Sequence, residues 1–164
     1  MSGVRVRDAA IIGRRFVPGA DGAALAEMEI SWPDFAFEPG QFAMLADKRM
    51  RLNWPSPLMI QRATRRGFVV LARPDSPLYA LTEGEAAVAW GPCGASAPRG
   101  RLALVCDAGC APLVAPLAER AACVQVIGAA HKDGVQALLG AQDGSLTDAD
   151  AICDGLDSIC GDLQ

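Results

Sequence analysis

Short β-type stretches separated by turn residues fill the first 98 residues, and this pattern limits the fold more than any other feature. The stretches are apolar or alternate between apolar and polar residues, as strands do. Turn-forming residues, such as those at 18–22 and 64–67, separate them. Short strands at this spacing are typical of an antiparallel barrel or sandwich. The predicted strands are residues 4–12, 24–31, 41–46, 57–63, 67–72 and 86–90.

The pattern changes after the predicted turn at residues 91–94. Residues 101–106 are apolar after the initial Arg101, as in a strand buried on both faces. An Ala- and Leu-rich stretch at 111–122 follows, in which Pro116 would end or kink a helix early. With a second apolar strand at 123–128, these segments predict a β-α-β unit, which is the seed of a parallel sheet.

The last twenty residues place apolar side chains at helical spacing, from Leu146 to Leu163, with aspartates between them. This spacing predicts an amphipathic helix that closes the chain, with Ser145 or Thr147 as its N-cap.

Charge is distributed unevenly along the chain. Residues 1–75 hold 11 Lys and Arg against 8 Asp and Glu, whereas residues 76–164 hold 4 against 11. The net charge of −4 argues against nucleic-acid binding, which needs a basic face. The local cluster of Lys48, Arg49 and Arg51 is either a small-anion site or a solvated basic loop.

Neither a membrane span nor a signal peptide is expected. No apolar run approaches the roughly 18–20 residues of a membrane helix. Charged residues also occupy the N-terminal segment, where a signal peptide would be apolar. The sequence therefore predicts a cytoplasmic protein.

Six cysteines occur at positions 93, 106, 110, 123, 153 and 160, and no two are separated by only two residues. A zinc ribbon or ferredoxin-type cluster needs such close pairs, so neither a metal site nor an iron–sulfur cluster is expected. Cytosolic thiols are normally reduced and buried. The alternative is a thiol or metal site built from Cys93, Cys106 and Cys110, because a helix N-terminus beside Cys110 would activate its thiol.

A barrel, a Gly-Pro-x-Gly turn and a β-α-β unit, in this order, resemble the ferredoxin–NADP reductase-like flavoproteins. The sequence is most similar to the electron-transfer subunit of dihydroorotate dehydrogenase and its relatives. The resemblance covers about residues 4–128 and rests on four stretches. These are residues 38–45 (the family's Pro-Gly-Gln-Phe strand), 56–60 (its flavin motif Arg-Pro-x-Ser-Ile), 91–94 (its Gly-Pro-Leu-Gly turn) and 104–113 (its strand, glycine loop and Ala-Pro-Leu).

The resemblance implies an antiparallel Greek-key barrel that binds a flavin, at residues 1–98, and a parallel α/β lobe similar to an NAD(P)-binding domain, at 99–164. The lobe is expected to be truncated, because 66 residues hardly suffice for a complete doubly wound sheet.

The resemblance also implies binding of FAD or FMN and electron transfer to a protein partner, or within a homo-oligomer. The implied cofactor-binding residues are Arg51, Trp54, Ser56, Pro57, Leu58, Met59, Ile60, Gly91, Gly94, Gly109 and Pro112.

Several positions depart from the family pattern. Ser56 stands where the family's Arg grips the flavin phosphate, and Met59 stands where its Ser bonds the ring. In a shifted alignment, Arg51 would lie near the phosphate and Trp54 against the ring. Residues 73–78 match the family's Gly-x-Gly-Thr diphosphate loop but contain no glycine, two prolines and an aspartate. Only Gly109 remains of the nucleotide loop, so NAD(P) binding is not expected.

Two hypotheses follow. The first is an electron-transfer oxidoreductase subunit that uses a flavin. The second is a degenerate relative that keeps the barrel as a scaffold or interaction subunit without a cofactor, because fold alone does not determine function.

Overall fold

A computed structural model describes residues 4–19, 22–49, 54–97, 103–107, 110–118, 123–127 and 145–147. The chain divides into two compact units. One comprises Met1–Pro18 with Ala23–Ala97, and the other comprises Gly19–Gly22 with Pro98–Gln164.

The first unit is a closed six-stranded barrel with the strand order β1-β2-β5-β4-β3-β6, in which every neighbouring pair is antiparallel. This confirms the predicted antiparallel Greek-key barrel. A short 3₁₀ helix, η1, spans Pro77–Ala80 between β5 and β6. The strands are β1 (Arg5–Pro18), β2 (Ala24–Ser31), β3 (Phe42–Asp47), β4 (Ser56–Ala63), β5 (Gly67–Ala72) and β6 (Ala86–Cys93).

Two strands are longer than the sequence predicts. β1 continues past residue 12 because an irregularity between Ile11 and Gly13 lets its first half pair with β6 and its second half with β2. β6 continues through part of the predicted turn at 91–94 and ends before Gly94, whose φ of +79° suits a glycine.

The barrel interior is apolar and closely packed. Fully buried side chains from different strands include Ile11, Met28 and Phe68. Phe35 lies after β2 and packs its ring 4.4 Å from the ring of Phe68, while Trp32 lies 5.0 Å from Phe35. Burial of such side chains is the main source of stability for a barrel of this size.

Ion pairs cover part of the barrel's outer surface. Phe68 and Val70 of β5 belong to the core, so Val69 and Leu71, which alternate with them, point outward. Val69 and Leu71 are nevertheless only 2% and 6% exposed. Their partners on β2 are Glu29 and Glu27. Carboxylate oxygens of Glu27 accept hydrogen bonds from Arg15 at 2.8 Å and Arg62 at 3.0 Å, and those of Glu29 accept from Thr64 and Arg66.

The two glutamates make the stability of the barrel dependent on pH. The hydrogen bond from Thr64 is the main cause that lowers the pKa of Glu29, and Arg66 lowers it further. Burial raises the pKa of Glu27, but Arg15 and Arg62 together outweigh burial, so its pKa is also lowered. A carboxylate whose pKa is lower in the folded state stabilises the fold above its ordinary pKa and loses this effect as the pH falls.

We therefore expect the free energy of unfolding to decrease as the pH falls below about 4.3, the ordinary pKa of Glu. Urea denaturation at a series of pH values measures this dependence. The double variant Glu27→Gln/Glu29→Gln should have a flatter profile in this range. An unchanged slope in the variant would show that other groups cause the dependence.

The second unit contains a three-stranded parallel sheet. β7 (Ala103–Asp107), α1 (Ala111–Ala118) and β8 (Cys123–Ile127) form the predicted β-α-β unit, and β9 (Ser145–Thr147) adds a third strand beside β8. Within the described ranges, no helix is both long and apolar enough to cross a membrane.

The prediction that Ser145 caps the closing helix and that Leu146 lies in it is wrong. Ser145, Leu146 and Thr147 form β9 and pair with residues 125–127 of β8. Pairing with β8 satisfies the backbone hydrogen-bonding groups of these three residues. The spacing of apolar residues along the sequence carries no information about such a long-range pairing. The other predicted N-cap, Thr147, stays a prediction, because the helix that it would begin starts at residue 148, outside the described residues. The remainder of the predicted helix, after residue 147, lies outside the described residues.

Candidate functional site

The outer face of strands β1, β6, β3 and β4 carries half-buried and exposed apolar side chains. On β3, Ala43 and Leu45 belong to the core, so Met44 between them faces outward. On β4, the same alternation places Leu58 and Ile60 in the core. We call the outward-facing residues Val6, Phe42, Met44, Pro57, Met59 and Trp90 the apolar strip.

Strand register aligns four members of the apolar strip in one row. Val6 pairs with Trp90, Trp90 with Met44, and Met44 with Pro57. Neighbouring strands lie about 4.8 Å apart, so this row is about 14 Å wide. Val6 is 60% exposed at one end of the row, and Pro57 is exposed at the other. The strip therefore offers an apolar surface that is accessible from its edges.

A second level of the apolar strip lies two residues along β3. Phe42 pairs with Met59 on β4 and with Cys93 on β6. All three side chains are half-buried. The phenyl ring of Phe42 also lies close to Gly94, where an added Cβ would come within 3.0 Å of it.

The structure brings together two of the four stretches that carry the family resemblance. The side-chain amide of Gln41 donates to the carbonyl oxygen of Gly94 at 3.2 Å, and its Oε1 accepts from the amide of Glu38 at 2.8 Å. The amide of Ala97 donates to the carbonyl oxygen of Pro39 at 2.7 Å. Residues 38–42 and 91–97 thus form one hydrogen-bonded end of the barrel, next to Met59.

The other sequence-predicted site residues have different environments. Pro57 and Met59 lie on the apolar strip, whereas Leu58 and Ile60 are buried in the core. Ser56 begins β4 opposite Leu45, and Trp54 is 81% exposed.

The remaining predicted site residues lie away from the apolar strip or outside the described residues. Gly91 is buried near the end of β6, and Gly94 is exposed after it. Pro112 is buried in the first turn of α1, in the second unit. Arg51 and Gly109 lie outside the described residues. Sequence reasoning missed Val6, Met44 and Trp90, although the outward positions of their strands could have identified them.

The segment at residues 73–80, called the η1 loop here, uses its amides internally. The amide of Ser76 donates to Arg73 O at 2.9 Å, and that of Tyr79 donates to Ser76 O at 2.9 Å. Ser76 Oγ accepts from the amide of Leu78 at 3.3 Å. Asp75 is largely exposed and forms an ion pair with Arg73 at 3.3 Å.

The η1 loop is attached to the barrel wall by Arg14. Its guanidinium donates to the carbonyl oxygen of Tyr79 at 2.8 Å and lies 4.5 Å from the ring centroid of Phe16. The Tyr79 hydroxyl donates to Ala24 O at 3.1 Å. These contacts attach the loop to β1 and β2.

Two basic residues follow β3 on the same outer surface as the apolar strip. Lys48 Nζ lies 2.8 Å from Asp8 Oδ2, and Arg49 lies 3.8 Å from Glu85. The side chains of Lys48 and Arg49 are 49% and 69% exposed. We call this pair the basic turn.

The apolar strip fits a flavin ring, but the η1 loop does not fit a diphosphate. Aromatic and thioether side chains pack well against flat aromatic rings. The η1 loop instead presents the carboxylate of Asp75, and its prolines 74 and 77 have no amide hydrogen. A diphosphate there would meet negative charge, and the amides of Ser76, Leu78 and Tyr79 already donate within the loop.

The thiol hypothesis gains no support from the geometry. Among the residues that the structure describes, no group of three His, Cys, Asp or Glu side chains is arranged to hold a metal ion. Cys93, Cys106 and Cys110 are not in disulfide bonds, and their burial is intermediate.

Comparison with known proteins identifies the fold. No protein-family model matches the chain, and no curated protein matches it. Among solved structures, the ferredoxin reductase in carbazole 1,9a-dioxygenase is similar with a TM-score of 0.62 and 13% identity, covering 88% of this chain and 49% of that chain. A cytochrome P450 reductase from Amycolatopsis has a TM-score of 0.59 and 18% identity, covering 89% of this chain and 52% of that one.

A ferredoxin-NADP+ reductase from Plasmodium falciparum is also similar, with a TM-score of 0.58 and 10% identity, covering 86% of this chain and 69% of that one. The chain spans about half the length of the first two of these proteins. At these identities the likeness shows the fold, which is that of the ferredoxin reductases.

Proposed function

We propose that this chain is an electron-transfer oxidoreductase unit of the ferredoxin–NADP reductase-like type, related to the electron-transfer subunit of dihydroorotate dehydrogenase. It holds the ring of a flavin against the apolar strip. The aligned row of Val6, Trp90, Met44 and Pro57 is the observation that carries this proposal. Residues 1–98 form the flavin barrel, and residues 99–164 form the α/β lobe.

The side chains of the strip bind and orient the ring. Trp90 and Phe42 supply aromatic surface, and Met44 and Met59 supply polarizable thioethers that adapt to its shape. These groups exclude water from the covered side of the ring. A bound flavin supplies the redox chemistry, and the protein supplies position and environment.

A protein partner accepts or supplies the electrons in this proposal. Val4 and Val6 are 59% and 60% exposed at the β1 edge of the strip. Exposed apolar residues beside a binding site suit a docked partner, because their burial favours association. A second copy of this chain is the alternative partner.

The alternative is a flavin-free scaffold in which the apolar strip contacts another protein directly. The η1 loop favours this reading, because its internal hydrogen bonds and exposed Asp75 oppose a diphosphate. Whether a flavin binds to the apolar strip distinguishes the electron-transfer function from the scaffold function.

Titration of the purified full chain with flavins tests the proposal. We expect FMN or FAD to bind with a dissociation constant of about 1 µM or lower, with quenching of flavin fluorescence as the ring packs against Trp90 and Phe42. The protein as purified should be yellow if the flavin is retained. A colourless protein that leaves the fluorescence of both added flavins unchanged would contradict the proposal and support the scaffold.

A further inference from the structure

We infer that the first half of β1 binds an extended acidic segment of the partner protein, which adds to the barrel wall as an antiparallel strand. The inference rests on the proposed function for the role of this partner, but the contact itself requires no flavin. We call residues 4–9 the open edge. Its unpaired backbone, its two arginines and its place at the end of the apolar strip carry the inference.

The open edge has a neighbouring strand on one side only. Residues 5–10 pair with residues 86–91 of β6, whereas the pairing with β2 begins at Ile11. β2 ends at Ser31, whose Oγ accepts a hydrogen bond from the amide of Ala10 at 2.8 Å. Within the part of the chain that the structure describes, no strand therefore covers the second side of residues 4–9.

The backbone groups of Val6 and Asp8 point to this uncovered side. The amide of Ile11 donates to a carbonyl oxygen on the β6 side, and the amide of Ala10 donates on the opposite side. Because the backbone groups of successive residues point to alternate sides of an antiparallel strand, those of Asp8 and Val6 share the side of Ala10. Among the described residues they have no hydrogen-bond partner. Such a row of unpaired groups is the template for an added strand.

The side chains of the open edge alternate between valine and arginine. Val4 and Val6 lie on the outer face, where they are 59% and 60% exposed. Arg5 and Arg7 lie on the other face, are exposed, and form no ion pair with any described residue. An added strand would therefore have apolar side chains beside one of its faces and two unpaired positive charges beside the other.

A segment that alternates acidic and apolar residues fits both faces. Residues directly opposite each other in antiparallel strands interact, and opposite charges there stabilise the pair. Acidic side chains fit opposite Arg5 and Arg7. The apolar residue between them then lies opposite Val6 and extends the apolar strip beyond its β1 end. The carboxylate of Asp8 opposes this arrangement little, because Lys48 pairs with it at 2.8 Å.

A second copy of this chain fits the open edge less well. Two-fold pairing centred on Val6 places Arg5 of one copy opposite Arg7 of the other. Two-fold pairing centred on Asp8 places the two copies of this carboxylate opposite each other. Like charges that lie directly opposite destabilise a strand pair, so the charges of the edge favour a different protein.

Binding of labelled peptides to the full chain tests the inference. The probe is a fluorescein-labelled peptide with the core Glu-Val-Glu-Val-Glu-Val, and the control peptide has Lys in place of each Glu. By fluorescence anisotropy, we expect a dissociation constant of about 100 µM or lower for the Glu peptide and binding at least about tenfold weaker for the Lys peptide. Equal affinities, or no binding of the Glu peptide, would overturn the inference, while flavin binding would still support the proposed function.

N-methylated probes distinguish strand addition from attraction between charges alone. In the antiparallel pairing, the amides of the peptide's valines face the open edge and those of its glutamates face away. Methylation of the valine amides should abolish binding, whereas methylation of the glutamate amides should change the affinity by less than about threefold. Equal effects of the two methylations would refute pairing through the backbone.

Charge reversal locates the contact. Arg7→Glu should weaken binding of the Glu peptide at least about tenfold and strengthen binding of the Lys peptide. Arg65→Glu is the matched control, because Arg65 is an exposed arginine in the β4–β5 turn, and it should change neither affinity. Thermal denaturation verifies that both variants are folded. Equal affinities of the two variants for the Glu peptide, or sedimentation of the full chain as a dimer that this peptide dissociates, would overturn the assignment of the open edge to an acidic partner.

Discussion

Gly67→Ala is expected to destabilise the barrel by more than about 3 kcal/mol, beyond the usual cost of overpacking. Gly67 begins β5 opposite Ser31. An added Cβ would lie 1.8 Å from the carbonyl oxygen of Ile30 and 2.6 Å from the amide of Trp32. Both are backbone atoms, and the Trp32 amide also donates to Arg66 O at 2.8 Å. The strand must therefore separate from β2 to accept a methyl group.

Gly84→Ala is the matched control for this substitution. Gly84 has a φ of +88°, and an added Cβ would meet nothing within 4 Å beyond its chain neighbours. The Gly84→Ala substitution should therefore lower the free energy of unfolding by only about 1–2 kcal/mol, through backbone strain. Urea denaturation of both variants gives the comparison. Equal losses of unfolding free energy would contradict the close approach of β5 and β2 at Gly67.

Met44→Asp is expected to weaken flavin binding about 100-fold or more, because it places a charge in the centre of the aligned row. Met44 pairs with Trp90 on one side and Pro57 on the other, so a ring on the strip must contact its side chain. Fluorescence titration measures the affinity, and thermal denaturation verifies that the variant remains folded.

Phe16→Asp controls for the introduction of an acidic residue on the barrel surface. Phe16 is 55% exposed and lies beside Tyr79 at 5.6 Å, away from the apolar strip. The Phe16→Asp variant should bind flavin with an affinity within about twofold of that of the unsubstituted chain. Val6→Asp, at the exposed edge of the row, should weaken binding about tenfold without burying a charge. Equal flavin affinities of the Met44→Asp, Val6→Asp and Phe16→Asp variants would show that the flavin binds away from the apolar strip.

The barrel strands were predictable because local signals and tertiary structure agree. Alternating apolar residues and turn residues identified all six strands, and the hairpin at 64–67 closes with a bond from Thr64 N to Gly67 O at 2.8 Å. The second half of β1 was missed because the consecutive arginines Arg14 and Arg15 interrupt the apolar pattern that indicates a strand. β9 was missed because its partner strand lies about twenty residues away in the sequence.

The candidate site was only partly predictable. The family motif identified Pro57 and Met59, but a motif on one strand does not show which residues of other strands lie beside it. Met44 lies beside Pro57, and Trp90 beside Met44, only through the register of β3 with β4 and β6. The internal bonding of the η1 loop depends on Ser76 acting as a cap, which alignment with the family's diphosphate loop did not indicate.

Methyl NMR of the full chain with 13C-labelled methionine tests the central claim most directly. The chain has five methionines, of which Met44 and Met59 lie on the apolar strip and Met28 is fully buried in the core. A flavin ring on the strip would shift the methyl signals of Met44 and Met59 through its ring current and leave that of Met28 in place. Met44→Leu and Met59→Leu variants assign the signals. Signals of Met44 and Met59 that stay unchanged at saturating FMN and FAD would contradict the account.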